Sequence, residues 1–194
     1  MRPLQQRLLV WVVLAVMGIA LSGCAALVVG GALTAVAVAE DRRTPGTMLD
    51  DQTIETRALF RIKNRFGDQA HVNVTSFNRH VLLSGEAISQ AVKEAVEAEL
   101  RAVAPNIVRL HNELVVGPLA SLRSVANDAR LTALIKTRFL ADGRFQANHV
   151  KVVTEAGTVF LMGLVSRAEA AAASEVAAST AGVRRVVTLF EYLD

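Results

Sequence analysis

The chain has 194 residues, 52% of them hydrophobic and 20% charged, with a single cysteine and 5% aromatics. One cysteine excludes an internal disulfide framework and any cysteine-cluster metal site. Setting aside Arg2 and Arg7, 19 basic residues face 18 acidic ones. So near-neutral a body excludes a non-specific nucleic-acid binder, which needs concentrated basic surface to displace phosphate counterions.

In chain order, residues 8 to 39 carry no charge. Leu8 to Leu21 is an uninterrupted apolar run behind Arg2 and Arg7, closed by Leu21-Ser22-Gly23-Cys24. As a helix the run is about 21 Å long. That falls short of the roughly 30 Å hydrocarbon core, so it reads as a signal-peptide h-region. Leu21-Ser22-Gly23-Cys24 resembles the lipobox of bacterial lipoproteins. The resemblance implies removal of residues 1–23 as signal peptide, a diacylglycerol on the Cys24 thiol and an acylated amine. One acyl chain holds only marginally at about 0.8 kcal/mol per methylene, so two or three chains make the stable anchor. Ala25 in place of Asp implies, by the same resemblance, sorting to the outer membrane. The competing reading is an uncleaved transmembrane helix, because apolar character continues from Ala25 to Ala39. Residues 24–50 then read as a lipidated tether, with linker composition around Pro45-Gly46.

From residue 51 the chain repeats itself. His71-Val72-Asn73-Val74 aligns with His149-Val150-Lys151-Val152, and Val81-Leu82-Leu83-Ser84-Gly85 with Val159-Phe160-Leu161-Met162-Gly163. Asp51, Ile54, Ala58 and Ile62 match Asp128, Leu131, Ile135 and Phe139. Ile54, Ala58, Ile62 and Phe66 recur at helical spacing, and alternating Val72/Val74 and Val81/Leu83 predict two strands joined around Asn78-Arg79. Ile88, Val92, Val96 and Val103 predict a second helix, and a last strand runs from about 107 to 116. The second copy predicts a helix near 126–142, strands near 148–154 and 158–164, a helix near 167–180 opened by a Ser166/Glu169 capping box, and a strand near 183–192. Each copy is thus α-β-β-α-β, a three-stranded sheet with two helices in an α+β fold. The modules are bounded at 51–118 and 124–194. A core this small is marginal alone, so the copies are expected to pack on each other or on their linker.

The order and the motifs resemble the BON domain, whose marks are an aspartate opening the first helix, a Val-Xaa-Leu-Xaa-Gly strand and a closing Gly-Val-Xaa-Xaa-Val strand. Here these stand as Asp128, Val159-Phe160-Leu161-Met162-Gly163 and Gly182-Val183-Arg184-Arg185-Val186. The first copy departs at the closing strand, where Pro105-Asn106-Ile107 replaces Gly-Val. A lipobox followed by two such modules resembles the dual-BON outer-membrane lipoproteins. That resemblance implies a lipid-anchored, periplasm-facing protein that recognises anionic phospholipid through its second module. It also implies a role in outer-membrane integrity at the division site.

The implied contact is the first helix of the second module. Its core side is Leu131, Ile135 and Phe139, leaving Arg130, Leu134, Lys136, Thr137, Arg138 and Leu140 toward other faces. Basic groups beside exposed leucines suit headgroup phosphate and the acyl boundary. The competing reading is a solvated helix face with one leucine against the first module, in a scaffold that binds envelope-assembly proteins and uses lipid only as a tether. His71 and His149 sit at equivalent positions with no Asp, Glu or Cys at ligand spacing, so no metal or other cofactor is expected. No phosphate loop, zinc motif or nucleophile elbow is present, and no catalytic residue is assigned. A hydrolase of envelope polymers would need a catalytic pair that the sequence does not display.

Overall fold

The structure, a computed structural model, describes residues 41–193; the signal peptide, the lipobox and Cys24 lie outside them. Helix α1 spans Pro45–Phe66, beginning six residues before the module boundary read at 51. The Thr44 hydroxyl accepts from the Thr47 backbone N–H at 3.1 Å, and Pro45 occupies the first turn, where its fixed φ suits a helix and its missing N–H costs nothing. Pro45-Gly46 therefore starts a helix instead of a linker.

Strands β1 (Ala70–Phe77) and β2 (His80–Ala87) form an antiparallel hairpin. Helix α2 (Gln90–Val103) crosses back to an edge strand parallel to β2. The edge expected as one run is two pieces, β3 (Arg109–Asn112) and β4 (Val115–Val116). Between them Leu114 turns into the core and is 2% exposed. The second module repeats the order: α3 (Leu122–Asp142), a 3-10 turn at Ala147–His149, β5 (Val150–Glu155), β6 (Thr158–Val165), α4 (Arg167–Ala178) and β7 (Arg185–Tyr192). Its sheet order is β5-β6-β7, antiparallel then parallel. The α+β reading holds, with α3 starting four residues earlier than its apolar spacing predicts because Ser121 caps it through the Ser124 N–H at 3.3 Å.

Both hairpins turn through two left-handed residues, Asn78 (φ 53°) and Arg79 (φ 62°) in one, Ala156 (φ 47°) and Gly157 (φ 74°) in the other. This backbone suits the right-handed twist of the flanking strands but is unfavourable for residues with a side chain. In each module the aspartate in the first helix stabilises it. Asp51 accepts from the Asn78 N–H at 2.8 Å, the Arg79 N–H at 2.7 Å and the Ser76 hydroxyl at 2.6 Å. Asp128 accepts from the Ala156 N–H at 2.8 Å and the Gly157 N–H at 2.9 Å.

Each central strand is buried on both faces, which explains its continuous apolar run. Val81 and Leu83 face the core under α1 and α2, while Val159, Leu161 and Val165 face the core under α3 and α4. Their alternates, Leu82 in β2 and Phe160 and Met162 in β6, join Phe77 in a third cluster, with Val153, Leu164, Val187 and Leu189 around it. The two sheets thus pack back to back, as the marginal size of each module leads one to expect. A polar seam rims this contact: Asn73 donates to Glu155 at 2.9 Å, Lys151 to Glu55 at 2.7 Å, and Asn78 to Glu191. Burial pushes the Glu155 carboxyl above its ordinary range, opposed by the Asn73 hydrogen bond.

The motif glycine of each central strand has one cause. A Cβ on Gly85 would lie 2.0 Å from the His71 carbonyl oxygen, and one on Gly163 would lie 2.4 Å from that of His149. The obstacle is backbone, so relief requires the hairpin to separate. Gly163→Ala is expected to destabilise the protein by about 2–3 kcal/mol in chemical denaturation; an unchanged midpoint would contradict the close approach.

Candidate functional site

Helix α3 is fixed in the second module by its inner side. Leu131, Ile135 and Phe139 are at most 1% exposed, and the Phe139 ring meets Phe145 edge-on with centroids 5.0 Å apart. Thr132 and Thr154 share a hydroxyl hydrogen bond of 2.8 Å, and Gly143 ends the helix in the left-handed conformation (φ 71°).

The six side chains that the sequence singles out divide into three groups. Arg130, Leu134 and Thr137 are exposed at i, i+4 and i+7 and so share one flank. Thr137 donates back to the Ala133 carbonyl at 3.0 Å. Lys136 and Leu140 are exposed on the opposite flank, Leu140 to 79%. Arg138 belongs to neither flank. Its guanidinium donates to the Val176 carbonyl at 3.1 Å, the Thr180 hydroxyl at 2.6 Å and the Ser179 hydroxyl at 3.0 Å. These acceptors lie at the C-terminal end of α4, where a cation meets the unpaired carbonyls and the negative end of the helix dipole.

The Lys136–Leu140 flank borders a groove of about 400 Å³, whose other walls are Arg43, Phe77, Ala147, Asn148, Val150 and Lys151. Sequence reading missed Arg43 and Phe77 because they reach the groove only through the packing of one module on the other, and missed Lys151 because its place beside α3 depends on how β5 packs along that helix. Arg43 lies 4.1 Å over the Phe77 ring and donates to Asp51 at 2.9 Å. Lys151 donates to Glu55 at 2.7 Å and to the Ser76 carbonyl at 3.2 Å. Among the described residues Lys136 is in no ion pair.

The neighbouring arginine reaches the second module. Arg42 grips both Glu169 oxygens, at 2.7 and 2.8 Å, and donates to the Leu164 carbonyl at 2.9 Å. Glu169 also accepts from the Ser166 N–H at 2.8 Å, completing the expected capping box. Arg42 first, and the Ser166 backbone after it, bring the Glu169 carboxyl down to about 2. Arg42 and Arg43 thus fasten the segment ahead of α1 to both modules.

No group of three metal-ligating side chains occurs among the described residues. His71 is half-exposed with Nδ1 3.5 Å from Glu86, and His149 is buried with Nδ1 3.8 Å from Glu169. Among the described residues no helix is long and apolar enough to cross a membrane.

These paired modules define a class: the chain belongs to the BON-domain family, which it matches over residues 50–118 and 127–194. It is 38% identical over 180 residues to outer membrane lipoprotein DolP of Haemophilus influenzae, an alignment covering 90% of this chain and 91% of that protein. It is 34% identical over 155 residues to the 21 kDa hemolysin of Actinobacillus pleuropneumoniae, covering 79% of each. It is 29% identical over 145 residues to osmotically-inducible protein Y of Escherichia coli, covering 73% of this chain and 72% of that one.

The depressed Glu169 carboxyl sets an acid limb of stability. Its folded-state pKa lies below the ordinary 4.5, so the contribution is complete above that value and fades as pH falls toward 2. The melting-temperature gap between wild type and Arg42→Gln should be constant from neutral pH to about 4.5 and narrow below it. A gap that does not change with pH would contradict the ion pair.

Proposed function

We propose that this is a non-enzymatic outer-membrane lipoprotein, anchored through acylated Cys24 and facing the periplasm, whose second module binds anionic phospholipid and supports membrane integrity, at the division site. The observation that carries this reading is the outer side of α3. Arg130 and Lys136 stand exposed beside Leu134 and Leu140, with the core side of the helix fully used elsewhere. Cations there meet headgroup phosphates while leucine tips enter the acyl boundary, an arrangement for lying on a membrane surface. Similarity along nine-tenths of the chain to a protein named as an outer membrane lipoprotein supports the location.

The anchor and the helix act together. The eighteen residue steps from Cys24 to Arg42 span at most about 65 Å when fully extended, so a weak headgroup contact operates at high effective concentration. Arg138 stands apart from the two flanks, with three of its donors bonded at the end of α4. A scaffold that binds envelope-assembly proteins is the second reading, favoured by Leu49 and Phe60, each 65% exposed on α1.

The test uses residues 41–194, which contain both cores and the whole inter-module contact. This fragment should sediment with phosphatidylglycerol vesicles and not with phosphatidylcholine vesicles. Arg130→Glu with Lys136→Glu should weaken the binding at least about thirtyfold, at about 1 kcal/mol per basic residue near the surface. Intact mass of the membrane-extracted protein should begin at Cys24 with acyl groups attached. Unchanged vesicle binding in the double variant, or none in wild type, favours the scaffold.

A further inference from the structure

The groove beside α3 differs from a plain helix face in both chemistry and construction. Its cations are Arg43, Lys136 and Lys151, and two carboxylates answer them, Asp51 to Arg43 and Glu55 to Lys151. The remainder is one positive charge on exposed Lys136. Its apolar wall is Phe77, Leu140, Ala147 and Val150, and Leu140 stands 79% exposed at the rim. Such a site suits an amphiphile with one negative charge and a hydrocarbon end. A volume of about 400 Å³ lies within the range of roughly 300–1,000 Å³ typical of small-molecule pockets.

The first module provides a comparison. Between α1 and β1 it has a groove in the same place, about 270 Å³, lined by Leu59, Ile62, Lys63, Ala70, His71 and Asn73 among others. By the repeat, Leu59 corresponds to Lys136, Lys63 to Leu140 and Asn73 to Lys151. The fold therefore makes a helix–edge-strand cleft in both copies. Only the second is enlarged by side chains from outside its own module, Phe77 of the first module and Arg43 just ahead of α1. Arg43 also directly follows Arg42, the residue fastened to Glu169.

We propose that the α3–β5 groove seats a single phospholipid molecule, its phosphodiester on Lys136 and the first methylenes of one acyl chain along Leu140, Phe77 and Val150. The inference rests on the reading of the second module as a phospholipid binder and adds that the site is a discrete seat built by both modules. One phosphodiester charge matches the one uncompensated cation.

The test is amide NMR of residues 41–194 titrated with dihexanoyl phosphatidylglycerol below its critical micelle concentration, with inorganic phosphate and Lys63→Gln as controls. Lys136 and Leu140 are exposed, so Lys136→Gln and Leu140→Ser keep the fold, which the dispersion of the same spectra verifies. Expected are saturable one-site shifts at Lys136, Leu140, Asn148 and Val150, and a roughly tenfold weaker affinity in Lys136→Gln from loss of a charge-assisted hydrogen bond. Leu140→Ser should also weaken binding, and Lys63→Gln should not. The proposal is overturned if inorganic phosphate alone gives the same shifts at the same concentrations, which would mark a bare anion site. It is also overturned if the lipid shifts gather at Arg130, Leu134 and Thr137 while Lys136→Gln binds as wild type, an outcome that leaves the phospholipid reading intact. Absence of any lipid-induced shift overturns the seat, and when vesicle binding is absent too, the broader reading fails with it.

Discussion

In each module a nearly buried carboxylate bonds the first helix to a hairpin turn that would be costly without it. Asp51 and Asp128 are 3% and 5% exposed, and their oxygens accept the consecutive N–H groups presented by the left-handed turn residues. Hydrogen bonds to a charged acceptor are the stronger kind, and an unpaired buried carboxylate is very unfavourable, so helix and turn must be placed together. That one constraint sets the angle of helix on sheet and, through the hairpin, which residues of β2 and β6 face outward.

The outward residues determine the second level of organisation. Leu82, Phe160 and Met162 are buried although they point away from their own helices, because each sheet serves as the other's cover. The contact is not wholly apolar. Glu155 sits in it with a raised pKa, and His80, whose pKa burial lowers despite nearby Glu191, sits at its rim. Polar groups of this kind favour one register of sheet on sheet over sliding alternatives, since a slip would leave them unsatisfied. The same packing brings Phe77 of the first module, and Arg43 just ahead of α1, to the flank of α3.

Most of the fold was legible because periodicity and repetition reinforced each other. Ile54/Ala58/Ile62 and Leu131/Ile135/Phe139 announced the two first helices, and the paired glycines marked equivalent strand positions. The physical reason for those glycines was hidden, since it depends on the carbonyls of His71 and His149 across the hairpin. Local composition misled at Pro45-Gly46, where the cap provided by Thr44 makes proline a helix starter. The outer flanks of α3 were readable residue by residue, but Arg138 was not. Its acceptors are some forty residues away, at the end of α4. The groove lay beyond sequence reading for the same reason, as Arg43 and Phe77 join its wall only once the modules dock.

In the proposed function, acylated Cys24 and a surface formed by α3 and the start of β5 act on the same bilayer. Hydrogen–deuterium exchange of the acylated protein, compared between phosphatidylglycerol-containing bilayers and detergent, addresses this most directly. Added protection across residues 130–151, with none on the outer side of α1, is the expected result. Equal exchange of 130–151 in both media, or protection confined to the first module, would contradict it.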